Sequence, residues 1–211
     1  MGKLVIDNLS DYWGHWQKAR VLFLIDLFGE EFFQGKTILE LGAYNGWIGD
    51  CFHQLGATVT CIDGRKQNAD QIKGRYPHLT THLADLDTAE WPWGDYDIII
   101  NFGLIYHLEK YHKEHIQNCV KHCKTLFLES VILDNAEPDI CYCREAGRDQ
   151  SLTDRGGYPS QKYVENIFDE CGVRHTIYKD AKLNAEPHRY DWIETDNKQI
   201  DFAQRRFWIV G

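Results

Sequence analysis

The chain has 211 residues, 43% of them hydrophobic and 13% aromatic, which suits one packed domain and excludes a disordered chain. Thirty-two acids against 23 bases leave a formal charge of −9, which argues against broad attraction to a phosphate backbone while leaving a local basic patch open. No apolar run approaches the roughly 20 residues of a membrane span, so no membrane partner is expected. The opening MGKLVIDNLSDYWGHW carries acids and no apolar stretch of signal-peptide type, which predicts a cytoplasmic protein. Seven cysteines are an odd number and none falls in CxxC, so reduced, buried thiols are expected. His115, Cys119 and His122 share a helix face, but the spacing fits no zinc framework and no metal site is expected.

In chain order, Ser10 is a candidate N-cap for a helix within residues 10–33, with Trp13, Trp16, Ala19, Val21, Leu22, Leu24, Ile25 and Phe28 along an apolar stripe. Residues 1–35 are therefore read as an N-terminal helical lid. Its aromatic start, Tyr12 to Trp16, either packs on a sheet or lids a pocket. A strand is predicted over 37–41, a helix over 47–55 ending at Gly56, and a strand over 58–62. A helix over 67–75 leads to strands over 79–83 and 96–101, where Ile98-Ile99-Ile100 reads as a central parallel strand. A helix over 112–123 precedes a strand over 125–132. The polar, arginine-bearing stretch 134–158 then breaks the alternation and reads as a long functional insertion over the substrate. Ser160 caps a helix to Cys171, and strands follow over 173–178 and 206–210. Alternating strands and helices predict a single α/β domain over 1–211, a seven-stranded, mostly parallel sheet with helices on both faces.

The stretch Thr37 to Asp63, TILELGAYNGWIGDCFHQLGATVTCID, forms a strand, glycine loop, helix, strand unit ending on an acid. Glycine lets a ligand approach the backbone, and the acid can accept hydrogen bonds from ribose hydroxyls. Gly42, Asp63, Asp85 and Asn101 each fall at a strand's C-terminal end, where α/β sheets bind ligands. A dinucleotide loop needs glycine where Tyr44 stands, and no P-loop lysine is present, so a nicotinamide oxidoreductase is disfavoured.

The pattern Glu40-x-Gly42-x-x-x-Gly46, with acids at the second and third strand tips, resembles the class I S-adenosylmethionine-dependent methyltransferases. The resemblance spans Thr37 to Val210 and implies a Rossmann-like methyltransferase fold with an antiparallel last strand. It implies S-adenosyl-L-methionine as cofactor and S-adenosyl-L-homocysteine as product. It further implies that Glu40, Gly42, Ala43 and Tyr44 border the methionine part and that Asp63 takes the ribose. Gly64 and Arg65 would lie against adenine, Asp85 and Leu86 would meet its amino group, and Asn101 and Phe102 would lie beside the sulfonium. Tyr44 departs from the family, which most often has a second glycine there.

The segment Asn101-Phe102-Gly103-Leu104-Ile105-Tyr106-His107-Leu108 lacks the N-P-P-[YF] motif of nucleobase amine methylation. It is similar to segments in small-molecule methyltransferases and in enzymes of tRNA wobble uridine. His107 stands where a general base could reach an acceptor, or alternatively shapes the pocket. Glu129, in an apolar strand, is either an ion-pair partner or a second site acid. Tyr106, Arg148 and Tyr158, with Arg144 and Arg155, are candidates to meet the substrate, as is the segment His188 to Trp192. The reading is methylation of a small polar metabolite or sugar-like acceptor at oxygen or nitrogen. The alternatives are a tRNA-modifying methyl or carboxymethyl transferase and a catalytically silent cofactor-binding partner protein.

Overall fold

A computed structural model of the protein describes residues 12–147 and 149–211, leaving out the side chains of Tyr12 and Trp13. The elements are α1 (Tyr12–Phe28), β1 (Thr37–Leu41), α2 (Trp47–Gln54), β2 (Thr58–Asp63), α3 (Lys66–Arg75), β3 (Thr80–Leu83) and β4 (Tyr96–Phe102). They continue with α4 (His112–Lys121), β5 (Cys123–Leu133), β6 (Ile140–Arg144), β7 (Arg155–Pro159), α5 (Gln161–Glu170), β8 (His175–Tyr178) and β9 (Ile200–Val210). Seven strands form one sheet in the order β3-β2-β1-β4-β5-β9-β8. The pairs among β1 to β5 are parallel, and β9 runs antiparallel to both of its neighbours.

Two apolar layers sandwich the sheet, and strand periodicity decides which residue joins which layer. Ile38, Ile98, Ile100, Phe127 and Phe207 pack under α1 and α2. Leu39, Ile99, Leu126, Leu128 and Trp208 pack against α4 and α5 with Ile116, Val164, Ile167 and Phe168. Ile98, Ile99 and Ile100 are all buried, as expected for a central strand covered on both faces. Ser160 caps α5, its hydroxyl accepting from Tyr163 N.

The stretch 134–158 differs from an irregular insertion. Most of it is a two-stranded hairpin, β6 paired antiparallel with β7 from Ile140↔Pro159 to Arg144↔Arg155. Gly156 and Gly157 let β7 press on the turn Ile105–His107: Gly157 N donates to Leu108 O, and His112 Nε2 bonds Gly157 O. All seven cysteines are free. No described helix is long and apolar enough to cross a membrane.

Candidate cofactor and acceptor site

The carboxyl ends of β1, β2 and β4 open into a cavity holding about 1110 Å³ of non-protein space, its solvent-facing mouth included. Its floor is the glycine loop. Gly42 and Gly46 have φ of 68° and 74°, and Tyr44 between them has φ of 51°. The loop therefore keeps the left-handed geometry that glycine favours, with a tyrosine in it. That conformation costs an L-residue about 1–2 kcal/mol, and here Tyr44 N donates to Asp63 Oδ2 at 2.8 Å.

Asp63, at the tip of β2, is 6% exposed and lines the cavity. Its Oδ1 accepts from Arg65 N at 2.8 Å and Asn68 Nδ2 at 3.1 Å. Burial pushes its carboxyl above the ordinary aspartate value, and these donors from Arg65, Tyr44 and Asn68 pull it back. Glu40 also lines the cavity; burial raises its carboxyl to about 8, against bonds from the Cys61 thiol and Gly49. Gly49 has to be glycine-sized, since a Cβ there would sit 2.7 Å from Glu40 Oε2.

Gly42, Ala43, Gly64, Arg65, Leu86 and Phe102 all line the cavity. Asp85 stands exposed on the rim, where Oδ1 accepts from Asp87 N. Leu152 covers Gly64 so closely that a Cβ there would lie 2.6 Å from its Cδ1. The Arg65 guanidinium holds that cover down through Gln150 O and Ser151 O. Trp16 and Gln17 of α1 form a wall, and Gln17 exchanges two hydrogen bonds with Asn45 of the glycine loop. Part of the aromatic start of α1 thus reaches the cavity; Tyr12 and Trp13 side chains lie outside the described residues.

Three expected site residues, Asn101, Glu129 and Tyr158, are not brought to the cavity. Asn101 is one residue out of phase with Ile100 and Phe102, so it faces α4 and bonds His115 Nε2 at 2.8 Å. Glu129 is wholly buried as the centre of an ion cluster: Oε1 accepts from Arg20 at 3.2 Å, Arg205 at 3.0 Å and Tyr190 at 2.8 Å. It is an ion-pair partner rather than a site acid. Tyr158 is buried behind the cavity wall, its hydroxyl donating to Glu145 at 2.6 Å. Arg148 lies outside the described residues. Arg144 and Arg155 are exposed and away from the cavity lining. In the segment 188–192, Tyr190 serves the Glu129 cluster, not the cavity.

Tyr106 and His107 do line the cavity, on the turn that follows β4. His107 Nδ1 bonds Glu145 Oε2 at 2.8 Å. Tyr106 packs on His107 and on Tyr158, with ring centroids 4.1 and 5.5 Å apart, and its hydroxyl accepts from Arg205. Sequence reading missed Gln17, Asn68 and Glu145; Trp16 and the cover 149–153 fall within the segments it placed near a pocket. Only the Gly156-Gly157 pair hinted at close docking of the hairpin.

The strand order, the antiparallel β9 and a cavity over a glycine loop and a strand-tip acid define the fold of the class I S-adenosylmethionine-dependent methyltransferases. No family model matches the sequence, and no curated protein matches it. Among solved structures, the N-terminal domain of EvdMO1 with S-adenosylhomocysteine bound is similar at a TM-score of 0.67 and 15% identity, over 93% of this chain and 79% of that one. An S-adenosylmethionine-dependent methyltransferase from Mesorhizobium loti gives 0.63 and 14%, over 98% and 99%. Magnesium protoporphyrin IX methyltransferase from Synechocystis PCC 6803, with bound S-adenosylmethionine, gives 0.61 and 13%, over 99% and 86%.

Proposed function

We propose that the protein is an S-adenosylmethionine-dependent methyltransferase acting on oxygen or nitrogen of a small polar metabolite or sugar-like acceptor. The observation that carries this reading is the meeting of the left-handed glycine loop and the buried Asp63 carboxylate in one cavity at the strand ends. The residues fit the cofactor. A carboxylate offers about four acceptor positions, and Asp63 has three filled, so one stands open for a ribose hydroxyl. Asn68, the longest of the three bonds and the one side chain among them, is the donor that yields to a second hydroxyl. Ala43, Tyr44 and Glu40 would border the methionine half, and Gly64, Arg65 and Leu86 the adenine. When bound, the cofactor supplies an electrophilic methyl group on a sulfonium.

The chain's own work is to align the acceptor and keep water out, which can supply several kcal/mol of the barrier. Trp16, Phe102, Leu152 and Tyr106 give apolar walls around the cavity. His107 is the candidate general base, on the wall that follows β4. A sugar-like acceptor gains support from the EvdMO1 domain, whose structure was also obtained in the presence of D-fucose.

Calorimetry with S-adenosylmethionine and S-adenosylhomocysteine tests the first half, and a methyl-transfer screen over metabolite pools, with tRNA alongside, tests the second. Asp63→Ala is expected to weaken cofactor binding tenfold or more, about the loss of one hydrogen bond to a charged group. Unaltered affinity in that variant refutes the ribose placement.

A further inference from the structure

Glu145 follows directly after β6 and is only 4% exposed. Burying a carboxylate is costly unless its oxygens are satisfied, and here both are. Oε2 accepts from His107 Nδ1 at 2.8 Å and from Ser151 N at 3.2 Å. Oε1 accepts the Tyr158 hydroxyl at 2.6 Å. The hairpin is shaped to deliver it. A Cβ on Gly156 would collide with Tyr106 O and lie 2.6 Å from Glu145 Oε2, and one on Gly157 would lie 2.7 Å from His112 Nε2.

We propose that Glu145 is the positioning residue for His107, supplied by the hairpin; this rests on the methyl-transfer reading above. The carboxylate takes the Nδ1–H bond, which fixes the ring and leaves Nε2 as the proton acceptor. Among the described residues no other bond to the His107 ring is present to compete. In the step served, the acceptor hydroxyl's lone pair forms the new O–C bond to the methyl carbon. The S–C electron pair stays on sulfur, and the hydroxyl proton passes to Nε2. The resulting imidazolium then faces a fixed negative charge across Nδ1, so the dyad stabilises the charge that develops on the base.

The same carboxylate reaches the cofactor half. Ser151 N, bonded to Glu145, belongs to the segment whose carbonyls Arg65 grips and whose Leu152 covers Gly64. Cover and base are therefore anchored at one point.

The test is nitrogen-15 NMR of the His107 ring in the full chain, with the signal assigned by its loss in His107→Gln. S-adenosylhomocysteine affinity is measured by calorimetry on the same samples. The wild-type ring is expected in the Nδ1–H form, and Glu145→Ala is expected to shift the tautomer ratio about tenfold or more away from it, the size of a hydrogen bond to a charge. Glu145→Gln keeps the side chain's size should the alanine chain not fold. It is expected to speed solvent exchange of that Nδ1–H about tenfold or more. An unchanged ratio in a folded Glu145→Ala chain, or unchanged exchange in Glu145→Gln, overturns the assignment of Glu145 alone. A wild-type chain that fails to bind S-adenosylhomocysteine overturns the methyl-transfer reading beneath it.

Discussion

Glu40 offers a prediction whose size follows from its surroundings. The side chain is 3% exposed on the central strand β1, with a thiol and a backbone N–H as its partners and Asp63 adding like charge. Its carboxyl ionises at about 8 in the folded chain against 4.5 when unburied. Between those values the folded chain holds a proton that the unfolded chain has released. Stability then falls as pH rises, by about 1.4 kcal/mol per pH unit, and levels off above about pH 8. Over the whole window the loss is of order 4–5 kcal/mol. Glu40→Gln keeps the shape of the protonated acid and cannot ionise. Urea unfolding of both proteins from about pH 4 to about pH 9 isolates the effect as a difference. The wild type should match the variant at the acid end and fall progressively below it toward the alkaline end. A difference that stays constant with pH would show that Glu40 is charged throughout, and that the burial argument is wrong.

Glu129→Gln should leave two buried guanidiniums, Arg20 and Arg205, without their shared counter-charge. Breaking such a pair costs about 3–5 kcal/mol, so thermal unfolding should drop by roughly 6–20 °C. Gly156→Ala pushes a methyl group into Tyr106 O and Glu145; overpacking of about 1–3 kcal/mol should appear as a lower melting temperature and faster proteolysis within the hairpin. Ser160→Ala removes both the α5 cap and the hydroxyl bonds to Asp139 N and Glu137 O. A loss of about 1–2 kcal/mol in denaturant unfolding is expected.

The sequence carried the sheet well because alternation and strand tips are local signals. Thr37 to Asp63 announced strand, loop, helix and strand, and Asp63 stands in the cavity. Phase was harder to read than position: Asn101 lies near the end of the correct strand, yet with a repeat of two it faces α4 while Ile100 and Phe102 face the cavity. Partners were not legible at all. A carboxylate among Phe127, Leu128 and Val131 signals that Glu129 needs compensation, but Arg20 and Arg205 lie 109 and 76 residues away in sequence. Glu145 sits in a polar stretch where any acid looks solvated, and only the folding back of β7 onto Ile105–His107 buries it. Tyr44 stood out as a departure from the family's usual second glycine. The loop instead holds the tyrosine in the left-handed region, with its N–H bonded to Asp63.

The place of β9 also bears on how the chain is made. It is the last strand in sequence, yet it lies between β5 and β8 and brings Arg205 to Glu129 beneath α1. A nascent chain leaving the ribosome would therefore carry β5 with one bare edge and Arg20 as the sole counter-ion of Glu129 until the final strand emerges. Non-local pairing of this kind is slow and exposes edges to wrong partners. The sheet's centre therefore closes only after β8 and the residues leading to β9 have been made, and chaperone dependence should concentrate in that interval.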